Sequence, residues 1–310
     1  MNAQMSDNSS GTSATGNNAV AMGDTTTASG VVSTAMGYGT IASASRSTAM
    51  GDITTASGSR STAMGYNTTA SASRSTAMGD NTTASAAYST AMGYGTTASG
   101  YSSTAMGYTT TASGGRSTAM GLSTTASDFG LVAIGQYNSS GSSVTNNATS
   151  FNTANTAFVI GNGTDSSNKS DAFKVMFNGD ATIGNDATIG NDLTVSGDVV
   201  VSSDARLKSN IVSLGSTLSR LLLIDGKSYE MKGKQKIGVL AQEIKEVFPE
   251  LVSEDDNEML AVNYQGLVPV LINALKEQDG KMKEQESKFE KQQAEIEELK
   301  EMVNQLISSK

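Results

Sequence analysis

A methionine recurs every 14 residues through the first part of the chain, as Met22, Met36, Met50, Met64, Met78, Met92, Met106 and Met120. Each is followed by Gly, and Ile134-Gly135 keeps the phase. A second series, Ala28, Ala42, Ala56, Ala70, Ala84, Ala98, Ala112 and Ala126, has the same period. The unit reads STAMGYGTTASGYS, two short β-permissive pieces each followed by small turn residues. Fourteen residues are too few for a helical pair and suit one flattened coil of a β-solenoid. Stacked coils would set each Met over the previous one at about 4.8 Å, and eight or nine of them make a rod of about 40 Å.

Without that period the same stretch would read as disordered. Residues 1–202 hold only 25 Leu, Ile, Val or Phe, too few to offset the entropy of ordering a chain that long. One coil encloses little, because Met, Ala and Thr are its only inward candidates. Three chains side by side can share a core, so a homotrimer is expected. A straight Met column does not converge on a point, which argues against a thioether metal site.

Charge and composition divide the chain near residue 200. Residues 1–202 contain no Glu, with six Lys or Arg against eleven Asp, a net charge of −5. Residues 203–310 hold all fourteen Glu and carry 15 − 19 = −4. The total of −9 leaves no basic surplus, so no nucleic-acid partner held by phosphate contacts is expected. The chain has no Cys and no His, which removes disulfides, His-based zinc sites and His-dependent triads. No motif calls for a cofactor or a metal. No run approaches the ~18 apolar residues of a membrane helix, so no membrane span is expected. The opening MNAQMSDNSS lacks the basic-then-apolar pattern of a secretory signal. Export by another route, or a longer parent chain, is the expectation.

The turns vary in a restricted way. Arg46, Arg60, Arg74, Tyr88 and Arg116 precede the Ser-Thr-Ala-Met units, while Tyr38, Tyr66, Tyr94 and Tyr108 alternate with Asp24, Asp52 and Asp80 after the Gly. Stacking turns these into ladders along the rod. They read either as a repetitive binding face for sugars or a cell surface, or as a solvated solenoid edge.

The repeats resemble the heads of trimeric autotransporter adhesins, which carry a similar apolar-Ala-apolar-Gly signature. The likeness covers about residues 8–135. It implies a trimeric left-handed parallel β-roll that binds host surfaces. The membrane-anchoring β-barrel of that family has no counterpart in this sequence.

From 131 to 180 the phase breaks. AFVIG and AFKVMF alternate as strands around a Gly-rich turn, giving a small β tip or adaptor. Gly161-Asn162-Gly163 lacks the following GK[ST] of a phosphate loop. A hexad then runs ATIGND, ATIGND, LTVSGD, VVVSSD, with Asp180, Asp186, Asp192, Asp198 and Asp204 in one column and Ile183, Ile189, Val195 and Val201 in another. It looks like a short triple-stranded β-helix of the phage-fibre kind. Its Asp column reads as turn residues or as oxygen ligands for calcium.

Residues 236–252 read as strand then helix, stopped at Pro249, and 260–278 as strand then helix. Ser203-Asp204 with Arg206-Leu207-Lys208, Gly238 with Ala241-Gln242-Glu243, and Tyr264 with Leu267 appear in that order. Over 203–276 these pieces resemble the intramolecular chaperone domain of phage endosialidases and related tail spikes, a self-cleaving Ser/Lys peptidase. The resemblance implies Ser203 as nucleophile, Lys208 as base and Ser202–Ser203 as the scissile bond, with Asp204 and Arg206 in support. The chemistry is coherent: a Ser hydroxyl needs a base, and a Lys can serve once burial lowers its usual value of about 10.4. Five residues apart, the two do not share a helix face, so a turn must join them. The competing reading makes Ser203 or Asp204 a helix N-cap.

From Val268 a heptad runs to the end. Val268, Leu275, Met282, Phe289, Ile296 and Val303 form one series, and Leu271, Gln278, Gln285, Gln292, Leu299 and Leu306 the other. This is a coiled coil whose three Gln layers fit a parallel trimer. Identical 14-mers cannot encode their own register, so the non-repeating tail would align the three chains.

The architecture expected is therefore mainly β: head repeats over 1–135, an adaptor over 136–180, a hexad β-helix over 181–202, a small α+β chaperone domain over 203–267 and a coiled coil over 268–310. The function expected is a homotrimeric, extracellular fibre for adhesion or host recognition at a cell surface. Its partners would be itself and a cell-surface glycan or protein receptor. A phage tail fibre or virion component, and a structural rod without a receptor, are the alternatives. No paired carboxylates suggest an enzyme acting on an external substrate, which leaves single-turnover self-cleavage.

Overall fold

A computed structural model describes residues 5–6, 10–189, 193–255 and 257–308. Residues up to Thr194 form one compact unit and those from Val195 another.

The first unit is a parallel β-solenoid. Among the described residues, nine five-residue strands from Val20–Asp24 to Val132–Gln136 stack at 14-residue intervals, each followed or preceded by a two-residue strand such as Ile41–Ala42. The long and short strands lie in separate sheets, of thirteen and nine strands. Pairing is parallel and in register, with Met36 beside Met50 and Ala42 beside Ala56. A short repeat suffices because every coil borrows its backbone partners from the coils above and below.

The interior differs from expectation in one respect. Ser33, Ala35, Thr40 and Ala42 of one coil are fully buried, and the same four positions are buried coil after coil. Met36 lies on the outer face of its strand, half-buried between flanking side chains. The reason is volume: two sheets drawn together by short turns leave room for Ala, Ser and Thr but not for a thioether. The Gly after each Met is compulsory. Gly37 sits at φ +122°, and a Cβ there would lie 1.9 Å from the Gly51 carbonyl oxygen.

The stack ends by substitution of side chains for strands. Thr156–Asn162 continues the long sheet one rung further, Val132 pairing with Phe158. The loop 137–155 replaces the short strand. Asn138 accepts from the Thr125 N–H at 2.8 Å and donates to the Thr125 carbonyl at 2.9 Å, making the bonds that the next short strand would make. Asp128, fully buried, accepts from the N–H groups of Thr145 and Thr156. Asp171–Met176 and Ala181–Ile183 then pair antiparallel and terminate the parallel order. Between 193 and 204 no strand forms, and Val199, Val200 and Val201 stand exposed.

In the second unit, α1 (Leu218–Leu221), α2 (Ala241–Val247) and α3 (Leu267–Ser308) accompany two hairpins, Lys227–Met231 with Lys234–Gly238 and Val252–Glu254 with Leu260–Val262. Helix α2 ends at Val247, two residues before Pro249, which opens a 3-10 turn. Pro269 lies in the first turn of α3, where no intrahelical donor is lost. Ile244, Phe248 and Val270 form the core with Leu221, Val247 and Val262 against them. The Arg220 guanidinium covers the Phe248 ring at 4.0 Å and caps the Val247 carbonyl. Gly238 is fixed by close approach, since a Cβ there would lie 2.7 Å from the Tyr264 hydroxyl, which accepts from the Val239 N–H.

Helix α3 has two unlike faces. Val270 and Ala274 are buried within the unit. Leu275, Met282, Phe289, Ile296, Val303 and Leu306 are all more than half exposed.

Candidate functional site

Ser203 and Lys208 flank a single 3-10 turn, Ala205–Leu207. Lys208 Nζ donates to Ser203 Oγ at 2.7 Å. The turn is held by Asp204, whose carboxylate accepts from the Arg206 N–H at 2.9 Å and pairs with the Arg206 guanidinium at 2.6 Å. That side-chain bond, then the backbone one, holds the Asp204 carboxyl below its usual value, and the side-chain bond alone raises Arg206. The N-cap role thus falls to Asp204, which leaves Ser203 Oγ to Lys208. Ser202, Ser203, Asp204, Arg206 and Lys208 are all exposed, and the Ser202–Ser203 peptide lies in open coil.

Chemically, the pair lacks one ingredient. A Lys acts as a general base from a dry setting. Nothing in the described part of this unit covers the turn.

Asp180 and Asp204 of the hexad column serve as turn residues, Asp180 held by Asn178 at 2.7 Å. Asp192 lies outside the described residues. Among the described residues, no three acidic side chains gather as a metal cluster, and no helix is long and apolar enough to cross a membrane.

The second candidate is the solenoid edge, where Arg46, Arg60, Arg74, Tyr88 and Arg116 occupy left-handed backbone at φ 57–62°. The ladder is built from real contacts. Arg74 donates to the Tyr88 hydroxyl at 2.5 Å and lies 5.1 Å from its ring centroid. Tyr88 packs edge-on against Tyr101 at 5.6 Å. Arg116 covers Phe129 at 5.2 Å. On the opposite corner Tyr94 stacks on Tyr108 at 4.9 Å.

A model described as the YadA head domain repeat matches six windows, 14–40, 28–52, 42–68, 56–82, 70–96 and 98–124. A second, described as the chaperone of endosialidase, matches residues 203–253. The chain joins YadA head repeats to an endosialidase-type chaperone domain. No curated protein matches it. The head windows stop at 124, short of the loop 137–155 that closes the stack. The chaperone window includes the Ser203–Lys208 turn and stops before Tyr264 and α3.

Several structural residues escaped sequence reasoning. Asp128 occupies a column otherwise filled by Ala44, Gly58, Ala72, Ala86, Gly100 and Gly114. A lone acid in a column of small residues was the available signal that the stack ends there. Glu277 was hidden among the polar positions of α3. Its carboxylate accepts from Ser216 Oγ at 2.7 Å and from the N–H groups of Thr217 and Leu218, the start of α1. Those bonds, the Ser216 one first, hold its carboxyl below the usual 4.5.

Proposed function

We propose that the chain is one subunit of a homotrimeric extracellular fibre for adhesion or host recognition, carried at a cell surface or on a virion tail, whose C-terminal part is a self-cleaving intramolecular chaperone. The observation that carries the trimer is the exposed heptad seam of α3. Six large apolar side chains in heptad phase, each more than half exposed, are what a coiled coil buries. The half-buried Met column offers the head a matching face. The divisions at 135, 180, 202 and 267 follow from this reading as functional modules.

In the cleavage we infer, Ser203 Oγ attacks the Ser202 carbonyl carbon. A C–O bond forms, the Ser202–Ser203 C–N bond breaks, and Lys208 passes the hydroxyl proton to the departing Ser203 amine. Water then hydrolyses the ester and frees the Ser202 carboxylate. The exposure of Lys208 supports a gate: packing of the trimer around residues 199–208 would supply the dry setting the base requires. Cutting would then follow assembly and remove the template once the rod is formed.

Two measurements test this. Light scattering should give three subunits at micromolar concentration, and a monomer or dimer would sink the proposal. Denaturing gels should show two fragments for the parent and one chain for Ser203→Ala and for Lys208→Ala. A parent that stays full length after folding would reduce the dyad to a structural contact.

A further inference from the structure

The edge ladder has one rung without a side chain. Hydrogen bonds from Arg116 N to Tyr101 O and from Gly130 N to Gly115 O place residues 101, 115 and 129 on successive rungs. The column runs Ser45, Ser59, Ser73, Ala87, Tyr101, Gly115 and Phe129. Gly115 therefore leaves a gap at the corner between two aromatic residues two rungs apart, about 10 Å at the spacing of strands, with the Phe129 ring leaning over Gly115 itself, where a Cβ would lie 3.2 Å from Phe129 Cδ2 and 3.4 Å from the Ala148 carbonyl oxygen. Its backbone shows no left-handed φ, unlike Gly121 or Gly130, so it is the close approach of Phe129 and Ala148 that favours glycine there. The gap is a cavity of about 250 Å³.

Its outer wall is the loop that ends the stack. Ala148 accepts from the Gly115 N–H at 2.7 Å, and Asn147 accepts from the Phe129 N–H at 3.0 Å. Fully buried Asn155 holds Asn147 at both its N–H and its carbonyl, and the Asn147 side chain accepts from Thr149 and Ser150. The wall is therefore preorganised rather than collapsed into the gap. Tyr101, Phe129, Arg116 and the hydroxyl residues Ser99, Ser113 and Thr149 line the space. Among the described residues, no carboxylate pairs with Arg116 and no acceptor takes a bond from its guanidinium.

We propose that this gap binds a monosaccharide unit bearing a carboxylate. Each feature of the lining fits one part of such a ligand. The aromatic residues offer apolar faces for a pyranose ring. The hydroxyls match its polar rim, and the free guanidinium, stiffened by Phe129, matches a carboxylate through two parallel bonds. The volume admits about one sugar ring rather than a peptide segment. The corner stays open in a trimer, because turning Arg46, Arg60, Arg74 and Arg116 toward a three-fold axis would bury like charges without partners. The site rests on the reading of the fibre as a recognition protein and names its ligand class.

The test is saturation-transfer NMR on the full-length protein with D-glucuronate, N-acetylneuraminate and, as a neutral control, methyl glucoside. Transfer is expected to at least one acidic sugar and not to the neutral one. Arg116→Gln should weaken that binding about tenfold or more, the loss of a charge-assisted pair. Gly115→Ser should weaken it also, because its Cβ would meet the Phe129 ring at 3.2 Å and push that wall of the pocket aside. Circular dichroism checks that both variants keep the solenoid. Equal transfer to the neutral sugar, no transfer to either acid, or unchanged affinity in folded Arg116→Gln would each overturn the site. Adhesion of the parent to cells that persists in Arg116→Gln would overturn it too, while leaving the recognition reading intact.

Discussion

The solenoid and α3 solve the same problem in opposite ways. Each solenoid coil satisfies its backbone through neighbouring coils of its own chain, and its interior is closed by Ala, Ser and Thr. Helix α3 satisfies its backbone internally but leaves its apolar seam in water. The first is complete along its axis and carries no information about register, since every rung matches the next. The second leaves its apolar seam uncovered, and in the proposed trimer it would carry the register, since Gln278, Gln285 and Gln292 interrupt Leu271, Leu299 and Leu306 at fixed places. Self-sufficiency and specificity are thus divided between the two regions.

The sharpest way to break the comparison is to charge the seam. Phe289→Asp with Ile296→Asp puts carboxylates into two adjacent core layers and should abolish the trimer, read by light scattering. If the head alone trimerises as well as the parent, the tail does not hold the register. A steric change on the head should act locally. Gly65→Ala places a Cβ 1.9 Å from the Gly79 carbonyl oxygen at φ +120°. It should open the rungs around it by several kcal/mol, read as hydrogen exchange confined to neighbouring coils. Exchange rising evenly along the whole solenoid would show that coils are not independent units.

A smaller effect separates the two faces of α3. The folded state holds the Glu277 carboxyl below 4.5, so it favours the carboxylate, and that stability is present above 4.5. It is lost as pH falls below 4.5 through the folded value. The thermal midpoint of Glu277→Gln should therefore lie below the parent at pH 6 and approach it at acid pH. A gap that widens on acidification would reverse the sign and remove Glu277 as the clasp of α1. The smallest effect tests the solenoid interior. The Thr68 hydroxyl is buried without a hydrogen-bond partner. Thr68→Val keeps the shape and should raise the melting temperature, by about 1 kcal/mol in stability. A lower midpoint would mean that the hydroxyl is satisfied in solution.

The period of the Met and Ala series determined the coil, the parallel order and the in-register stacking, because a 14-residue repeat has few other ways to meet its backbone donors. Spacing likewise determined the heptad of α3 and demanded a turn between Ser203 and Lys208. Which residue of Thr-Ala-Met faces inward was not determined by spacing. Alternation has the same period for either face, and the choice fell to the thickness of the coil, which admits Ala35 and excludes Met36. The end of the stack was also decided in three dimensions. Asp128 and Asn138 replace a missing strand only because residues 137–155 fold back over it. So too was the pocket beside Gly115: one glycine among thirty-two in the sequence, it lines a cavity only when Tyr101, Phe129 and Thr149 are brought together from different rungs.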